Sequence, residues 1–378
     1  MFYLVSYQYA PGTASTNRVM AYVKAFSELG VNTEVVFFMP SQGGDKIERD
    51  YPHINFVYLW DKRKNNNKYF DKVFLFYNIK RFIHKLNKDD YVFIYGFVDI
   101  VVALKGRSSA HIYSEFTEHP DAAFVSHIPG TTKRRYLEAC ASFDGVFVIS
   151  QQLKDYFVEN GCQSDRVHIV NMIVDINRFN GLQRHPFDHC ITYCGTASNA
   201  KDGVDILIKS FAYVVHKYPM YRLLIIGRVP TEKQRFDNLE LVKKLGIERN
   251  IIFTGAIPSE KIPQILINSD VLALARPDNL QSKYGFPTKL GEYLISGNPV
   301  VITNVGDIPL FLQDGINALI AEPSNIEEFA KKLCWVIEHP DESKRIGNAG
   351  KKVAIDSFNY LTESKKILDV ILGEANNY

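Results

Sequence analysis

The residues best placed to do chemistry lie in the stretch "KYGFPTKLGEYLISGNPVVIT", positions 283 to 303. Pro287 near a helix start and Gly297 just past its end predict a helix from Pro287 to Ser296, leading into a β-branched strand. A helix beginning there offers several backbone N–H groups and the positive end of the macrodipole, which suits a phosphate. Gly285 lets a ligand approach the backbone closely. Glu292 falls about one turn further in, where a carboxylate can accept from paired hydroxyls. The combination predicts a nucleoside diphosphate, with its pyrophosphate on the helix end and its ribose diol on the acid. A solvated helix-face acid is the plainer alternative for Glu292.

Such residues need a scaffold, and the chain is long enough for two domains: 378 residues, 46% hydrophobic and 23% charged. A net charge of +2 demands no nucleic-acid partner. The five cysteines (140, 162, 190, 194 and 334) are too sparse for a disulfide framework. Cys190 and Cys194 are close together, but no Cys/His pair matches them, so buried thiols are expected and no metal site. The opening "MFYLVSYQYAPG" is expected to be a first strand and not a signal peptide, and no run of about 18 apolar residues occurs. A cytoplasmic location is the expectation.

Short, continuously apolar runs alternate with helix-length segments, as in strands buried on both faces of a parallel sheet. Strands are expected at 2–7, 33–39, 54–60, 91–97, 111–116, 145–150 and 167–172. "NGLQRHPFDH", from 180, is polar and turn-rich and reads as a linker. The pattern then restarts at 190–195, 221–227, 251–255, 271–276, 299–303 and 317–321. The fold class is α/β, with two Rossmann-like doubly wound parallel sheets facing across a cleft. Residues 1–180 form the first domain and 181–355 the second, with 356–378 crossing back to the first. Neither half has a Gly-x-Gly-x-x-Gly turn or a Walker loop, which weakens dinucleotide and NTP readings.

With those elements in place, the chain resembles a family-4 glycosyltransferase, a retaining enzyme of the GT-B fold. The likeness covers nearly the whole length. It is carried in order by "SYQYAPGTASTNRVMAYVKAFSELGVNTEVV", "DGVFVISQQLKDYF", "VHIVNMIVDINRF", "ITYCGTASNAKDGVDILIKSF", "LLIIG", "IIFTGAIPSEKIPQILINSDVLALARP" and "GFPTKLGEYLISGNPVV". The resemblance implies roles residue by residue. Gly12 would present its backbone near the donor phosphates, and Lys201 would contact the pyrophosphate. Gly285, Phe286, Pro287 and Thr288 would supply backbone donors. Glu292 would hold the ribose, as the second acid of a Glu, seven residues, Glu motif. Ile257 and Ser259 lie in the loop that meets the base.

The chain departs from the family in three places. The first acid of the motif is Tyr284, the arginine after the Gly-rich loop is Thr196, and "NMIVD" lacks the usual glycine. Arg276 or Lys289 would supply the missing cation, although Arg276 pairing locally with Asp278 is a close alternative. Retaining transfer of this kind is explained by front-face attack, which needs charge stabilisation on the departing diphosphate. No cofactor is implied, and the absence of an Asp-x-Asp pair agrees with a metal-independent reaction. Glu118 and His119, in "YSEFTEHPD" at a strand end, are set to contact the transferred sugar or acceptor. A loop bonded to its own backbone is the plainer reading of that pair.

The implied partners are a nucleotide sugar and a saccharide or lipid-linked acceptor in envelope glycan synthesis. A sugar-nucleotide epimerase or inverting transferase on the same fold, and a non-catalytic sugar-nucleotide-binding subunit, remain open. Residues 62–88 hold nine Lys/Arg and one Asp, with Phe70, Val73, Phe74, Tyr77, Phe82 and Leu86 between them. This stretch could meet an anionic membrane surface. The apolar residues are expected to pack on the first sheet instead.

Overall fold

The structure, a computed structural model, describes residues 1–41, 46–60 and 68–373; of Lys68 and Tyr69 only the backbone is described. Residues 62–67 of the basic stretch and 374–378 of the C-terminal segment lie outside the described residues. The chain divides into two compact units, residues 1–173 with 360–378 and residues 174–359.

The first unit holds seven strands: β1 (Phe2–Ser6), β2 (Thr33–Phe37), β3 (Ile54–Tyr58), β4 (Tyr91–Tyr95), β5 (His111–Phe116), β6 (Gly145–Val148) and β7 (Val167–Ile169). They form one parallel sheet in the order β3-β2-β1-β4-β5-β6-β7. The central strands β1 and β4 are buried along nearly their whole length, so their sequences are mainly apolar without alternation. The second unit holds β8 (Cys190–Cys194), β9 (Arg222–Ile226), β10 (Ile251–Gly255), β11 (Val271–Leu274), β12 (Val300–Thr303) and β13 (Leu319–Ala321). Their order is β10-β9-β8-β11-β12-β13, again all parallel. In each sheet the order reverses beside the first strand, between β1 and β4 and between β8 and β11. That is where open α/β sheets place their ligands.

Every expected strand is present, several of them shorter at the C-terminal end. β7 stops at Ile169 and not at 172, and β11 stops at Leu274 and not at 276. The residues beyond leave the sheet to become loops, as the site requires. The C-terminal helix Tyr360–Leu372 belongs to the first unit. There the Tyr360 hydroxyl donates to Glu28 at 2.7 Å and the Asn171 N–H donates to Glu363 at 2.9 Å.

Three local expectations change. The turn-rich stretch from 180 is no free linker. His185 and Phe187 donate their N–H groups to Asn268, and Arg184 pairs with Asp270 at 3.1 Å. The helix expected from Pro287 runs only from Lys289 to Ile295, behind Thr288. Phe286 and Pro287 stay out of it because the Phe286 ring is buried against Phe311 and Phe358, with centroids 5.5 Å away in each case. In the helix Lys68–Lys85, Leu75, Ile79 and Phe82 face inward, whereas Phe70, Val73, Phe74 and Tyr77 are exposed. The expected packing of the whole stripe on the sheet therefore fails. An 18-residue helix with apolar groups on both sides can bury only one.

Candidate active site

In the second unit the chain leaves β8 through Gly195, passes the short helix Asn199–Asp202, and turns at Gly203 into the helix Val204–Lys217. Gly203 has φ 64°, and a Cβ there would collide with the carbonyl of Ala275 beyond β11. Glycine is therefore what lets these two loops touch. Gly195 has φ 153°, and a Cβ on it would collide with Cε of Lys289. The missing side chain leaves the space through which Lys289 passes.

Lys289 ends on Asp202, with Nζ 2.7 Å from Oδ2. The Tyr193 hydroxyl donates to the same oxygen at 2.7 Å. Arg276 Nε lies 3.9 Å from Asp202 Oδ1 and donates to the Lys201 carbonyl at 3.3 Å. Asp202 and Arg276 are each 1% exposed. The expected alternative of an Arg276–Asp278 pair is replaced by this buried one. Burial would push the Asp202 carboxyl up, but Lys289 and then Arg276 hold it below its ordinary value. Burial lowers Lys289 against the pull of Asp202, and the charges of Arg276 and Lys201 lower it further. Arg276 and Lys289 thus converge on one acid at the β8/β11 switch point, with Lys201 near enough for its charge to act on Lys289. An arriving polyanion would relieve their mutual repulsion.

Glu292 stands on the first turn of the Lys289–Ile295 helix. Next to it, Tyr293 locks the helix to the end of β8. Its hydroxyl accepts from the Cys194 N–H at 2.6 Å and donates to the Cys194 carbonyl at 3.1 Å. Burial raises the Glu292 carboxyl, and Arg178 acts against that rise. Arg178 Nη1 donates to Glu292 Oε1, while Nη2 donates to the Ser259 carbonyl at 2.5 Å and hydroxyl at 3.2 Å. Arg178 comes from the short turn Ile176–Phe179, which Asp175 caps by accepting from the Asn177 N–H. Ile257 is half-buried on the same loop as Ser259, after β10.

The segment before the helix is less generous with donors than expected. The Gly285 N–H is spent on the Gln281 carbonyl at 3.1 Å, and Pro287 has no N–H. Phe286 and Thr288 are the donors that remain to it. The Phe286 side chain is core. Tyr284 closes the preceding helix Leu280–Tyr284, with Lys283 Nζ 5.7 Å from its ring centroid. Thr196 is exposed beside Gly195, and Lys289 lies across the glycine where a loop arginine is missing.

In the first unit, Gly12 has φ 79° in the turn after β1. Glu118 and His119 follow β5. Glu118 is half-buried, whereas His119 is 4% exposed with its ring against Tyr156. His119 Nδ1 accepts from the Asp121 N–H at 3.1 Å, so it caps the helix Pro120–Ala123. Burial lowers its pKa, which keeps the ring neutral with its proton on Nε2. Beneath this loop Arg18 donates to Glu115 at 2.9 Å through Nε, and the Tyr22 hydroxyl meets the same carboxylate at 2.8 Å. All three are buried.

Sequence reasoning passed over Arg178, Asp202 and Tyr193. Asp202 had a faint signal, since the glycine after it marks a helix end, where an acid is out of place unless cations meet it. Arg178 lay inside a quoted motif, but nothing local linked it to Glu292.

Residues 188–339 match the family model described as glycosyl transferases group 1. The span contains Lys201, Ser259, Arg276, Lys289 and Glu292. Over 278 residues the chain is 25% identical to mannosylfructose-phosphate synthase of Agrobacterium fabrum, covering 68% of this chain and 60% of that protein. Over 190 residues it is 23% identical to a GDP-mannose-dependent phosphatidylinositol monomannoside mannosyltransferase of Mycolicibacterium smegmatis, covering 49% and 48%. The chain thus spans between about half and three fifths of the length of these curated relatives. The structure of Anabaena HepE in complex with UDP superposes with a TM-score of 0.75 at 15% identity, covering 98% of this chain and 99% of that one. The chain has the GT-B fold, and its residues 188–339 carry the match to the group 1 glycosyl transferases.

Proposed function

We propose that the chain is a family-4 retaining glycosyltransferase of the hexosyltransferase type. It moves a sugar from a nucleoside diphosphate sugar to a saccharide or lipid-linked saccharide in envelope glycan synthesis. The observation that carries this reading is the convergence of Arg276 and Lys289 on Asp202 at the β8/β11 switch point, with the charge of Lys201 acting on Lys289. In the transfer the bond from the anomeric carbon to the diphosphate oxygen breaks, and charge grows on that oxygen. Lys289 and Lys201 face that charge, while buried Arg276 positions them through Asp202 and the Lys201 carbonyl. Glu292 takes the ribose diol, and the loop of Ile257 and Ser259 meets the base. The resemblance gives Gly12 of the first unit a part in holding the donor phosphates, and Glu118 and His119 a part in contacting the transferred sugar or the acceptor. The acceptor hydroxyl attacks from the same face, its oxygen bonding to the anomeric carbon and its proton passing to the departing diphosphate oxygen, so configuration is retained; the cations serve in place of a metal.

The relatives' names include a GDP-mannose enzyme and a UDP complex, so uridine and guanosine diphosphates lead as donors. The reading places the protein in the cytoplasm, peripherally at the inner membrane face, where a lipid-linked acceptor is reached. Incubating the purified chain with UDP- and GDP-hexoses and simple saccharide acceptors tests it, with the anomeric configuration of the product read by NMR. An α-linked product from an α-donor supports the reading. A β-linked product, or epimerised donor formed without acceptor, overturns it.

A further inference from the structure

We infer that the outward face of the helix Lys68–Lys85 is a docking surface for an anionic lipid bilayer. The inward face is fixed: Leu75, Ile79 and Phe82 are buried, and the Phe82 ring meets Tyr3 and Phe38 edge-on at 5.4 and 5.5 Å. On the opposite side Phe70, Val73, Phe74 and Tyr77 recur at the spacing of one helical face and are 51%, 49%, 47% and 60% exposed. Trp60 stacks on Phe74 with ring centroids 5.0 Å apart, which widens the aromatic patch. A contiguous patch of this kind in water marks an interaction site.

One turn beyond Tyr77, the same face changes chemistry. Lys80, Arg81 and His84 continue the spacing, all exposed. The helix carries Lys68, Lys72, Lys80, Arg81 and Lys85 against the single acid Asp71. Lys85 is engaged with Glu34 at 2.9 Å, so Lys80 and Arg81 are the cations this face presents. Aromatic groups that sink to headgroup depth, beside cations that meet phosphates, are the requirements of an interfacial helix. The charge also argues against a second copy of the chain, because two such faces would bring four cations together. Among the described residues no helix is long and apolar enough to cross a membrane, so the contact is interfacial.

The inference rests on the peripheral location proposed above but not on the donor chemistry, and its test uses no nucleotide. The full chain is sedimented with vesicles of phosphatidylcholine alone, and with phosphatidylcholine and phosphatidylglycerol in a two-to-one ratio. Wild type is expected to bind the mixed vesicles and to release in high salt. Lys80→Gln/Arg81→Gln should weaken binding about thirty-fold, from two cations near an anionic surface. Val73→Ser/Tyr77→Ser should weaken it about ten-fold or more, with thermal melting and nucleotide affinity unchanged, since both residues are exposed. Failure to bind mixed vesicles, or binding indifferent to both double variants, overturns the inference. So does a wild-type dimer that Val73→Ser/Tyr77→Ser dissociates. None of these results touches the glycosyltransferase reading, which nucleotide titration tests separately.

Discussion

Arg178 and Glu292 stand 114 residues apart in sequence and form one ion pair, Nη1 to Oε1, with each side chain about a quarter exposed. The same guanidinium holds Ser259 by its carbonyl and hydroxyl. One side chain thus fixes both the acid assigned to the ribose and the loop assigned to the base. Arg178→Met should raise the KM for the nucleotide sugar more than it lowers kcat. Because Arg178 opposes the burial that raises the Glu292 carboxyl, nucleotide affinity in the variant should also fall away at a higher pH than in wild type. Arg178→Lys should restore part of the pH profile but not the bridge to Ser259. An affinity–pH profile unchanged in Arg178→Met would remove the arginine from the site.

The Glu292 carboxyl itself sets up a second expectation, with a definite sign. Its folded pKa lies above the ordinary 4.5 because of burial. The stability it contributes is therefore present below about that pH and is lost as pH rises through the folded value. Glu292→Gln should then melt at or above the wild-type temperature at neutral pH while losing nucleotide affinity. A residue kept for function at a cost to stability behaves this way.

Lys289→Met should lower nucleoside diphosphate affinity by about ten- to a hundred-fold, the range of a lost charge-assisted hydrogen bond. It should also change acid stability. The Asp202 carboxyl is held below its ordinary 3.8 against the effect of burial, chiefly by Lys289. The stability it contributes is present above that value and is lost as pH falls through the folded pKa. Without Lys289 the carboxyl rises, so acid unfolding should begin at a higher pH than in wild type. Leaving a buried carboxylate short of a partner should cost about 3 kcal/mol near neutrality. Denaturant melts across pH check both.

Gly195→Ala tests the space that Lys289 uses. A Cβ there collides with Cε of the lysine at φ 153°, so the lysine must move off Asp202 or the loop must shift. The expectation is a loss of about 1–3 kcal/mol of stability and a ten-fold or larger fall in nucleotide affinity. Wild-type affinity in this variant would mean that Lys289 does not act from its place over the glycine.

The sheets were legible because most of the strands are short, largely apolar runs, and the inner ones, such as β1, β4, β11 and β12, are buried almost throughout. The setting of Glu292 and Lys289 was legible too, through a glycine, a proline and the strand that follows. The pairings were not. Lys289 meets Asp202 across 87 residues, and no periodicity encodes such a contact. The start of the 289–295 helix was misplaced because burial of Phe286 outranks the preference of proline for a first turn. The Lys68–Lys85 helix deceived for a related reason. Leu75, Ile79 and Phe82 lie among Phe70, Val73, Phe74 and Tyr77 in sequence, and only the packed sheet shows which set goes inside.

The central claim is that a nucleoside diphosphate binds the second unit between the Lys201–Arg276–Lys289 group and Glu292. Calorimetric titration of wild type and Glu292→Ala with UDP, GDP and ADP tests it most directly. The account predicts that wild type prefers one of the three and that Glu292→Ala binds it at least about ten-fold more weakly, the worth of one or two hydrogen bonds to a charged acceptor. Binding of none of the three, or equal binding by wild type and Glu292→Ala, would contradict it.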